Sequence, residues 1–378
     1  MLDIFLLVTI SCYALIILIF TIGLFLFKEE KTTIKPFVSV IIPALNEKDH
    51  IEKILFDVSN QTYPTEKYEI LVIDDESSDI TSNLVMALSE KYQNIKLLNS
   101  KDGDSTLKFK KRPLDLGIRS SYGEIIIQTD ADCQVTNRWI ETMVSYFTDN
   151  VGMVIGHSQI NYDKSISQTV ETLDFLMLSA TGRSAAQFGI PFAATGQNLA
   201  FRKKTFYEVG GFSEFANALG GDDTFLLQSI RNKSDWDIVA ALDKNSFTQT
   251  VPSLSFQSFV SQRRRWASDS LYFRITNPVF FVVIITTFLA NISILISFGI
   301  NFVFSGSFQI LINCLIIKLL VEGCMMVKAT NIYNCKNLRK AFIPWFFLQI
   351  PYIVYMGITT LTPKNKTWGG RHEIDPIT

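Results

Sequence analysis

The chain has 378 residues, of which 48% are hydrophobic and 19% are charged, and its formal net charge is −1. Soluble proteins carry charges at about a quarter of their positions, so this deficit indicates membrane-embedded segments. A near-neutral net charge provides no general basic surface, which argues against a nucleic-acid partner. The five cysteines form no CxxC pair and histidine occurs three times, which predicts reduced thiols and disfavours a His-ligated zinc site.

The first predicted element is an apolar segment, residues 4–27, that contains no charge. It is long enough to cross a hydrocarbon core of about 30 Å. It lacks the basic start of a signal peptide and its apolar run is too long for one, so we predict a retained anchor over residues 1–27. Lys28, Lys31 and Lys35 follow, which places this end of the anchor in the cytoplasm.

Residues 36–252 are predicted to form one α/β domain, because short apolar runs alternate with segments suited to helices. This alternation indicates a mixed, mostly parallel, Rossmann-like sheet with helices on both faces. Ligands of such sheets bind beyond the carboxyl ends of the strands. The predicted elements are strand 38–42, helix 47–60 capped by Asn46, strand 68–73, a helix ending near residue 92, strand 95–98, helix 110–121 and strand 124–128.

Candidate binding residues follow the first two predicted strands. They are Pro43, Ala44, Asn46 and Glu47 after the first strand, and Asp74 and Asp75 after the second. Carboxylates at these positions suit the N–H groups of a nucleotide base and the hydroxyls of a ribose. Capping of the following helices is an alternative of equal weight.

Asp130 and Asp132 flank Ala131 just beyond a strand that contains three isoleucines. Carboxylate oxygens are hard ligands that suit Mg²⁺ or Mn²⁺, whose remaining positions are filled by phosphate and water. An ion there would neutralise the phosphates of a diphosphate. The alternative is an ordinary turn, which a charged pair after such an apolar strand disfavours.

Three further groups of polar residues occur within the domain. Gly196, Gln197 and Asn198 belong to a loop rich in helix breakers. Asp222 and Asp223 precede an apolar helix, so they are candidates for acid–base chemistry or simply for an N-cap. Lys110 and its neighbour Lys111 either contact a phosphate or form a solvated charge run.

Residues 253–278 contain the motif Gln262-Arg263-Arg264-Arg265-Trp266 just before an apolar run. Arginine binds phosphate in a fork, and tryptophan offers a flat face to a sugar ring. The alternative is an amphipathic interfacial helix whose arginines face lipid phosphates. Both descriptions are compatible, because Arg263 and Arg264 are predicted to remain available to the membrane.

The ordered motifs D, DxD, (E/D)D and QxxRW resemble those of the membrane-bound branch of the family 2 glycosyltransferases. The resemblance covers roughly residues 36–275. It implies a GT-A fold, a nucleotide-diphosphate sugar donor of the UDP type, a Mg²⁺ or Mn²⁺ cofactor, and a lipid or glycan acceptor. It also implies an inverting hexosyl- or N-acetylhexosaminyltransferase at the inner or plasma membrane, with its catalytic domain in the cytosol.

The resemblance further implies roles for individual residues. Asp223 is the general base, and Asp222, which replaces the family's usual glutamate, raises its pKa. Asp132 is the closer metal ligand, and Asp130 lies near the ribose and the metal. The residues implied to bind the donor are Pro43, Ala44, Asn46, Glu47, Asp74, Asp75, Lys110, Asp130, Gln262, Arg265 and Trp266. Those implied on the acceptor side are Gly196, Gln197, Asn198 and Trp266.

Residues 279–361 contain three more apolar stretches, 279–304, 308–327 and 342–361. Lys318 and Glu322 share one helical face of the second, and we predict a pair packed against another helix rather than an acceptor path. Pro344 and Pro351 interrupt the third, which we therefore predict to be interfacial or re-entrant. The tail, residues 362–378, is predicted to be cytosolic, and the oligomeric state is left open.

Several functions compete for this pattern. A single-transfer enzyme with a lipid acceptor needs only a cleft, whereas a processive polysaccharide synthase needs a channel, for which three or four segments provide little material. A non-catalytic sugar-binding membrane protein leaves Asp223 and the DxD pair without a purpose. A nucleotidyltransferase does not explain QxxRW beside a membrane. The sequence therefore favours the single-transfer enzyme.

Overall fold

The computed structural model describes residues 2–26, 29–161, 165–218, 220–252, 255–268 and 270–360, with the backbone of 367–368 and 371–372. Two compact units are formed. The helical unit comprises Met1–Phe27, Tyr162–Phe192 and Pro252–Lys364, and the α/β unit comprises Lys28–Asn161, Ala193–Val251 and Asn365–Thr378. Lys28 and most of the predicted tail, residues 362–378, lie outside the described residues. The predicted domain 36–252 is interrupted, because Tyr162–Phe192 belong to the helical unit.

The helices and strands are numbered in chain order. The helices are α1 (Leu2–Gly23), α2 (Ile51–Ser59), α3 (Thr81–Lys91), α4 (Lys111–Ser120), α5 (Trp139–Ser145), α6 (Ile166–Gln187), α7 (Lys203–Glu208), α8 (Thr224–Lys233), α9 (Phe256–Ser268), α10 (Ser270–Thr276), α11 (Pro278–Val303), α12 (Gln309–Ile332) and α13 (Phe342–Thr360). The strands are β1 (Val38–Ala44), β2 (Tyr68–Asp74), β3 (Ile95–Asn99), β4 (Ile125–Gln128), β5 (Gln134–Val135), β6 (Val151–Ile155), β7 (Ser158–Ile160), β8 (Leu199–Arg202), β9 (Asp237–Ala240), β10 (Thr248–Thr250), β11 (Thr367–Trp368) and β12 (Arg371–His372).

The main sheet of the α/β unit has seven strands in the order β3-β2-β1-β4-β8-β6-β9. The first four are parallel, β8 runs antiparallel to β4 and β6, and β9 is parallel to β6. The predicted mixed, mostly parallel sheet is confirmed. Its central strands are buried on both faces, which explains their continuous apolar runs. The carboxyl ends of β1, β2 and β4 therefore share one edge, where the acidic motifs begin.

The loop after β1 differs from the prediction. Helix α2 begins at Ile51 rather than at residue 47, and its N-cap residue, His50, makes no side-chain capping bond. Asn46 is not a cap. It has φ of 57°, a left-handed conformation that asparagine tolerates better than most residues, and its Oδ1 accepts a bond from the Ser78 N–H at 2.8 Å. The capping prediction was wrong because a partner beyond β2 takes that side chain.

Within the described residues, four helical segments of the helical unit are long and apolar enough to cross a membrane: Leu2–Gly23, Pro278–Val303, Gln309–Ile332 and Lys336–Thr360. Helix α13 is continuous, although Pro351 lies inside it. Pro344 falls in its first turn, where proline costs no helical hydrogen bond. The expected break is therefore absent. An interfacial or re-entrant placement of this stretch stays a prediction.

A buried polar cluster joins three of these helices. Lys318 Nζ donates to Glu322 Oε1 at 2.6 Å, and both side chains are at most 1% exposed. Tyr13 of α1 donates to the same oxygen at 2.6 Å, and Gln349 of α13 donates to Oε2 at 2.7 Å. The predicted pairing against another helix is confirmed. The bonds that Glu322 accepts connect α12 with α1 and α13, and they are strong because they are shielded from solvent.

Candidate active site

The loops after β1 and β2 are bonded into one rigid edge. The Asp75 N–H donates to the Ala44 carbonyl at 2.7 Å, and the Asn46 N–H donates to Ser77 Oγ at 2.9 Å. Asp74 is 6% exposed and its Oδ1 accepts a bond from the Ser77 N–H at 3.3 Å. Asp75 is 2% exposed. This geometry places the predicted donor-binding residues of both loops side by side.

Three carboxylates are close enough to affect one another's protonation. The pKa of Glu47 is raised to about 7, mainly by burial and further by the charges of Asp132 and Asp130. Burial also raises the pKa of Asp132, and Asp130 adds to the effect. The edge after β1 and β4 therefore carries several carboxylates, and their combined negative charge favours the binding of a cation.

Lys110 is the cation at the centre of the site. Its Nζ lies 2.5 Å from Asp130 Oδ1 and 3.6 Å from Asp222 Oδ2, and its side chain is 15% exposed. Burial lowers the pKa of Lys110, but Asp130 and Asp222 outweigh burial and raise it overall. Lys110 is therefore charged and joins the DxD pair to the Asp222-Asp223 pair.

Neither lysine of the pair at 110 and 111 is a solvated surface charge. Lys111 is 1% exposed, and its Nζ donates to the carbonyls of Ala218 and Gly220. These carbonyls lie in the segment that leads to Asp222. Lys111 thus holds that segment in place, while Lys110 pairs with the carboxylates. The solvated-run alternative is wrong because carbonyls and carboxylates distant in sequence surround both ammonium groups.

Asp223 caps helix α8 and is held by two backbone donors. Its Oδ1 accepts a bond from the Thr224 N–H at 2.5 Å, and its Oδ2 accepts one from the Gly196 N–H at 2.9 Å. Burial raises the pKa of Asp223 to about 6, with a further contribution from Asp222 and opposing contributions from the backbone bonds and Lys110. The N-cap interpretation is confirmed. A raised pKa is compatible with proton transfer, and the acid–base role of Asp223 stays a prediction.

Gly196 lies close to the ends of three polar side chains of the site. A Cβ at this residue would lie 2.8 Å from Gln128 Nε2, 3.1 Å from Asp222 Oδ2 and 3.1 Å from Lys110 Nζ. Its N–H simultaneously donates to Asp223. A side chain at this position would therefore displace the Gln128 amide and crowd Asp222 and Lys110, whereas glycine lets the backbone pack against them.

The sequence reasoning missed Gln128. This residue ends β4, is 1% exposed, and donates from Nε2 to Asp222 Oδ2 at 3.4 Å. The available signal was a polar residue closing a strand that otherwise contains isoleucine. A buried amide costs free energy unless it is bonded, so a polar residue there indicates a polar partner.

In the loop that contains Gln197 and Asn198, Gln197 is partly exposed and Asn198 lies in the interior. Asn198 is completely buried, its Nδ2 donates to the carbonyls of His157 and Ser246, and its Oδ1 accepts from Trp139 Nε1 at 3.1 Å. This corrects the acceptor-side assignment of Asn198, since its amide is used inside the fold. Gln197 donates to Thr250 Oγ1 at 3.0 Å. The acceptor-side role of Gly196 and Gln197 stays a prediction.

The QxxRW motif lies on α9 in the helical unit. Trp266 is 37% exposed, and Gln262 and Arg265 are partly buried. Arg263 is 4% exposed and pairs with Asp174 at 2.9 Å, so it is not available to lipid phosphates as predicted. The error arose because Asp174 lies on α6, a helix whose membership of the helical unit the sequence did not indicate.

The residues of the DxD motif fit a divalent cation by their chemistry. Among the described residues, no group of three or more His, Cys, Asp or Glu side chains is arranged to hold a metal ion. Asp130 and Asp132 nevertheless supply hard oxygen donors in a region where burial, and then repulsion between carboxylates, raise the pKa of Asp132 and of Glu47. Mg²⁺ and Mn²⁺ are bound by few protein carboxylates when phosphate oxygens complete the shell.

The mixed sheet, with acidic motifs at its carboxyl edge, is an α/β fold of the GT-A glycosyltransferase type. The chain belongs to glycosyl transferase family 21, whose family model matches residues 2–372. The predicted resemblance to membrane-bound family 2 glycosyltransferases is thereby confirmed at the level of a membrane-bound glycosyltransferase, and the family that the model gives is family 21. The assigned family follows from the matching model, and the individual site roles stay predictions.

Three curated relatives are similar to this chain over part of their length. The glycosyltransferase AglE of Haloferax volcanii is 36% identical over 132 residues, 35% of this chain and 42% of that protein. The probable glycosyltransferase YdaM of Bacillus subtilis is 30% identical, over 63% of this chain and 56% of that protein. The β-monoglucosyldiacylglycerol synthase of Trichormus variabilis is 28% identical, over 64% and 50%. The matched region spans about half the length of these relatives.

One solved structure resembles the chain over nearly its whole length. It is the mannosyltransferase PcManGT of Pyrobaculum calidifontis, determined in complex with GDP-mannose and Mn²⁺. The TM-score is 0.61 at 17% identity, and the match covers 93% of this chain and 99% of that one. At this identity the likeness establishes the fold.

Proposed function

We propose that the protein is a membrane-bound, inverting glycosyltransferase that moves a hexose or N-acetylhexosamine from a UDP-sugar to a hydroxyl of a lipid acceptor. The observation that carries the proposal is the Asp223 carboxylate, with a pKa of about 6, fixed by two backbone donors in a site that also holds Lys110. Family membership and a relative named for glucosyldiacylglycerol synthesis support the reaction class and the lipid acceptor.

Asp223 is suited to take the proton of the attacking hydroxyl. A carboxylate has about four lone-pair positions, and the Thr224 and Gly196 N–H groups use two of them. These bonds fix the orientation of the group and leave acceptor capacity for a substrate hydroxyl. With a pKa of about 6, Asp223 is mostly ionised at pH 7 yet basic enough to accept a proton. Asp222 contributes by raising that pKa.

The remaining residues bind the donor in this proposal. Asp74 and Asp75 face the base and ribose, and Lys110 attracts the diphosphate. Asp130 and Asp132 would hold Mg²⁺ or Mn²⁺, which when bound supplies positive charge to the leaving diphosphate. By the resemblance, the residues of the helical unit that serve the donor and acceptor are Gln262, Arg265 and Trp266.

The membrane placement is part of the proposal. We propose that the α/β unit lies in the cytosol, where nucleotide sugars are available; the basic residues just after α1, among them Lys31 and Lys35, support this orientation. The helical unit would then lie in the inner or plasma membrane, because its apolar helices are long enough to cross one. In this placement the acceptor is a lipid of the same membrane.

The test uses the full-length protein purified in detergent. We expect nucleotide release from one UDP-sugar of a panel that also contains GDP-mannose, dependent on a diacylglycerol or polyprenol acceptor and on Mg²⁺ or Mn²⁺. Excess EDTA is expected to abolish it, and re-addition of the metal to restore it. Release from GDP-mannose alone would overturn the UDP assignment. Absence of transfer from any nucleotide sugar to any acceptor would contradict the proposed function.

A further inference from the structure

Arg263 is a motif position without an assigned role, and its surroundings set it apart from the other arginines of α9. It is 4% exposed, whereas Arg264 and Arg265 are partly exposed. Its guanidinium carbon lies 4.4 Å from the centre of the Trp266 ring and 5.1 Å from that of Phe259. A guanidinium at such distances from aromatic faces is held by cation–π attraction.

Asp174 anchors this guanidinium from a second helix. Arg263 Nη2 lies 2.9 Å from Asp174 Oδ2, and the Asp174 side chain is 14% exposed. Trp345 of α13 donates from Nε1 to Asp174 Oδ1 at 3.3 Å. The carboxylate thus connects α6, α9 and α13 within the helical unit. A buried charge is retained only when it is paired in this way.

Aromatic side chains pack around the Arg263 guanidinium. Phe175, the residue after Asp174, lies 6.1 Å from Trp266 between ring centres. Tyr352 of α13 lies 5.7 Å from Phe259. Arg263 and Phe175 thus contact the Trp266 ring, while 37% of the residue stays exposed. The exposed part can contact a ligand, and the packed contacts set the orientation of the ring.

We propose that Arg263, clamped by Asp174, is a positioning residue that orients the Trp266 ring of the QxxRW motif for substrate binding. The inference rests on the proposed function, since Trp266 matters only if the motif serves glycosyl transfer. Arg263 itself touches no substrate. It acts by presenting one face of Trp266 and by preventing rotation of the ring.

The test is a double-mutant cycle in kcat/KM. The Asp174→Asn/Arg263→Met variant removes both charges, so no unpaired buried charge threatens folding. We expect about a 10-fold loss in the wild-type background, because misplacing a binding group lowers turnover. In a Trp266→Leu background the same pair of changes is expected to cost less than about 2-fold. Arg274→Met, at an exposed position on α10, is the control for loss of an arginine.

An equal loss in both backgrounds would overturn the proposal, because a merely structural role is additive. A readout independent of activity is the ¹⁹F NMR spectrum of protein labelled with fluorotryptophan. The Trp266 resonance, assigned by its loss in Trp266→Leu, is expected to shift in the Asp174→Asn/Arg263→Met variant, while that of Trp139 in the α/β unit does not. An unchanged Trp266 resonance would likewise refute the inference. Inactive wild-type protein with the expected NMR shift would instead count against the proposed function alone.

Discussion

Replacement of Lys110 by methionine removes the one positive charge described between Asp130 and Asp222, with little change in volume. In the wild type this ammonium lies 2.5 Å from Asp130 and 3.6 Å from Asp222, and it lowers the pKa of Asp223. Loss of this charge is therefore expected to raise the pKa of Asp223 from about 6 to about 7, a shift at the lower end of those that a nearby opposite charge produces.

The sign of the effect follows from the protonation state of the base. Below its pKa Asp223 is protonated and cannot accept the hydroxyl proton, so activity falls as the pH falls through that value. At pH 7 the ionised fraction is about nine-tenths for a pKa of about 6 and about half for a pKa of about 7.

The assay is kcat/KM for nucleotide release measured from pH 5 to pH 9. We expect the acidic limb of the Lys110→Met profile to move up by about one pH unit. Lys108→Met is the matched control, because Lys108 is exposed and its ammonium donates to the nearby Ser105 carbonyl, while its other described bond is made by the backbone and is kept in the variant. A uniform loss of activity with an unmoved limb would refute the electrostatic reasoning and leave Lys110 with a binding role only.

Three other predictions concern the site and the helical unit. Gly196→Ala is expected to lower kcat/KM by about 10-fold, because its Cβ would push the Gln128 amide away from Asp222 and misplace groups of the site. Gly299→Ala, with open space around its Cβ, is the control, and equal activities would contradict the packing argument. Glu47→Gln is expected to stabilise the ligand-free protein by about 1 kcal/mol at pH 8 and by less at pH 5. The raised pKa of Glu47 means that its ionisation destabilises the fold as the pH rises through about 7, and solvent screening of this half-buried group keeps the effect small. Equal thermal shifts at both pH values would count against this prediction. Lys318→Met is expected to destabilise the helical unit by about 3–5 kcal/mol by leaving Glu322 unpaired, and unchanged thermal unfolding in detergent would sink that idea.

Sequence patterns predicted the sheet well where local signals and tertiary structure agree. The strands from Val38, Tyr68 and Ile125 were recognisable because central parallel strands are apolar on both faces. Carboxylates directly after such strands fall at one edge by topology alone. Topology therefore placed Asp74 and Asp130, and the order of all four motifs, including Asp223 and QxxRW, indicated a membrane-bound glycosyltransferase.

Features that depend on distant partners were not predictable in this way. Asn198 looked like a site residue, yet it bonds to three residues buried around it. Arg263 looked like a surface charge, yet Asp174 on α6 pairs with it. Helix α6 itself carries mixed polar residues, so no apolar run indicated that it belongs with the helical unit. In each case the deciding contact spans many residues and leaves no local pattern.

The role of Asp223 as the general base is the central claim, and the Asp223→Asn variant tests it most directly. Asparagine keeps one side-chain oxygen to cap α8 but does not accept a proton at neutral pH. We predict normal donor binding, a near-normal unfolding temperature, and transfer slower by about 10²–10⁴-fold. Asp243→Asn, which alters another carboxylate that accepts a backbone N–H bond, controls for loss of charge and should retain activity. Transfer by Asp223→Asn at a rate close to that of the wild type would contradict the account.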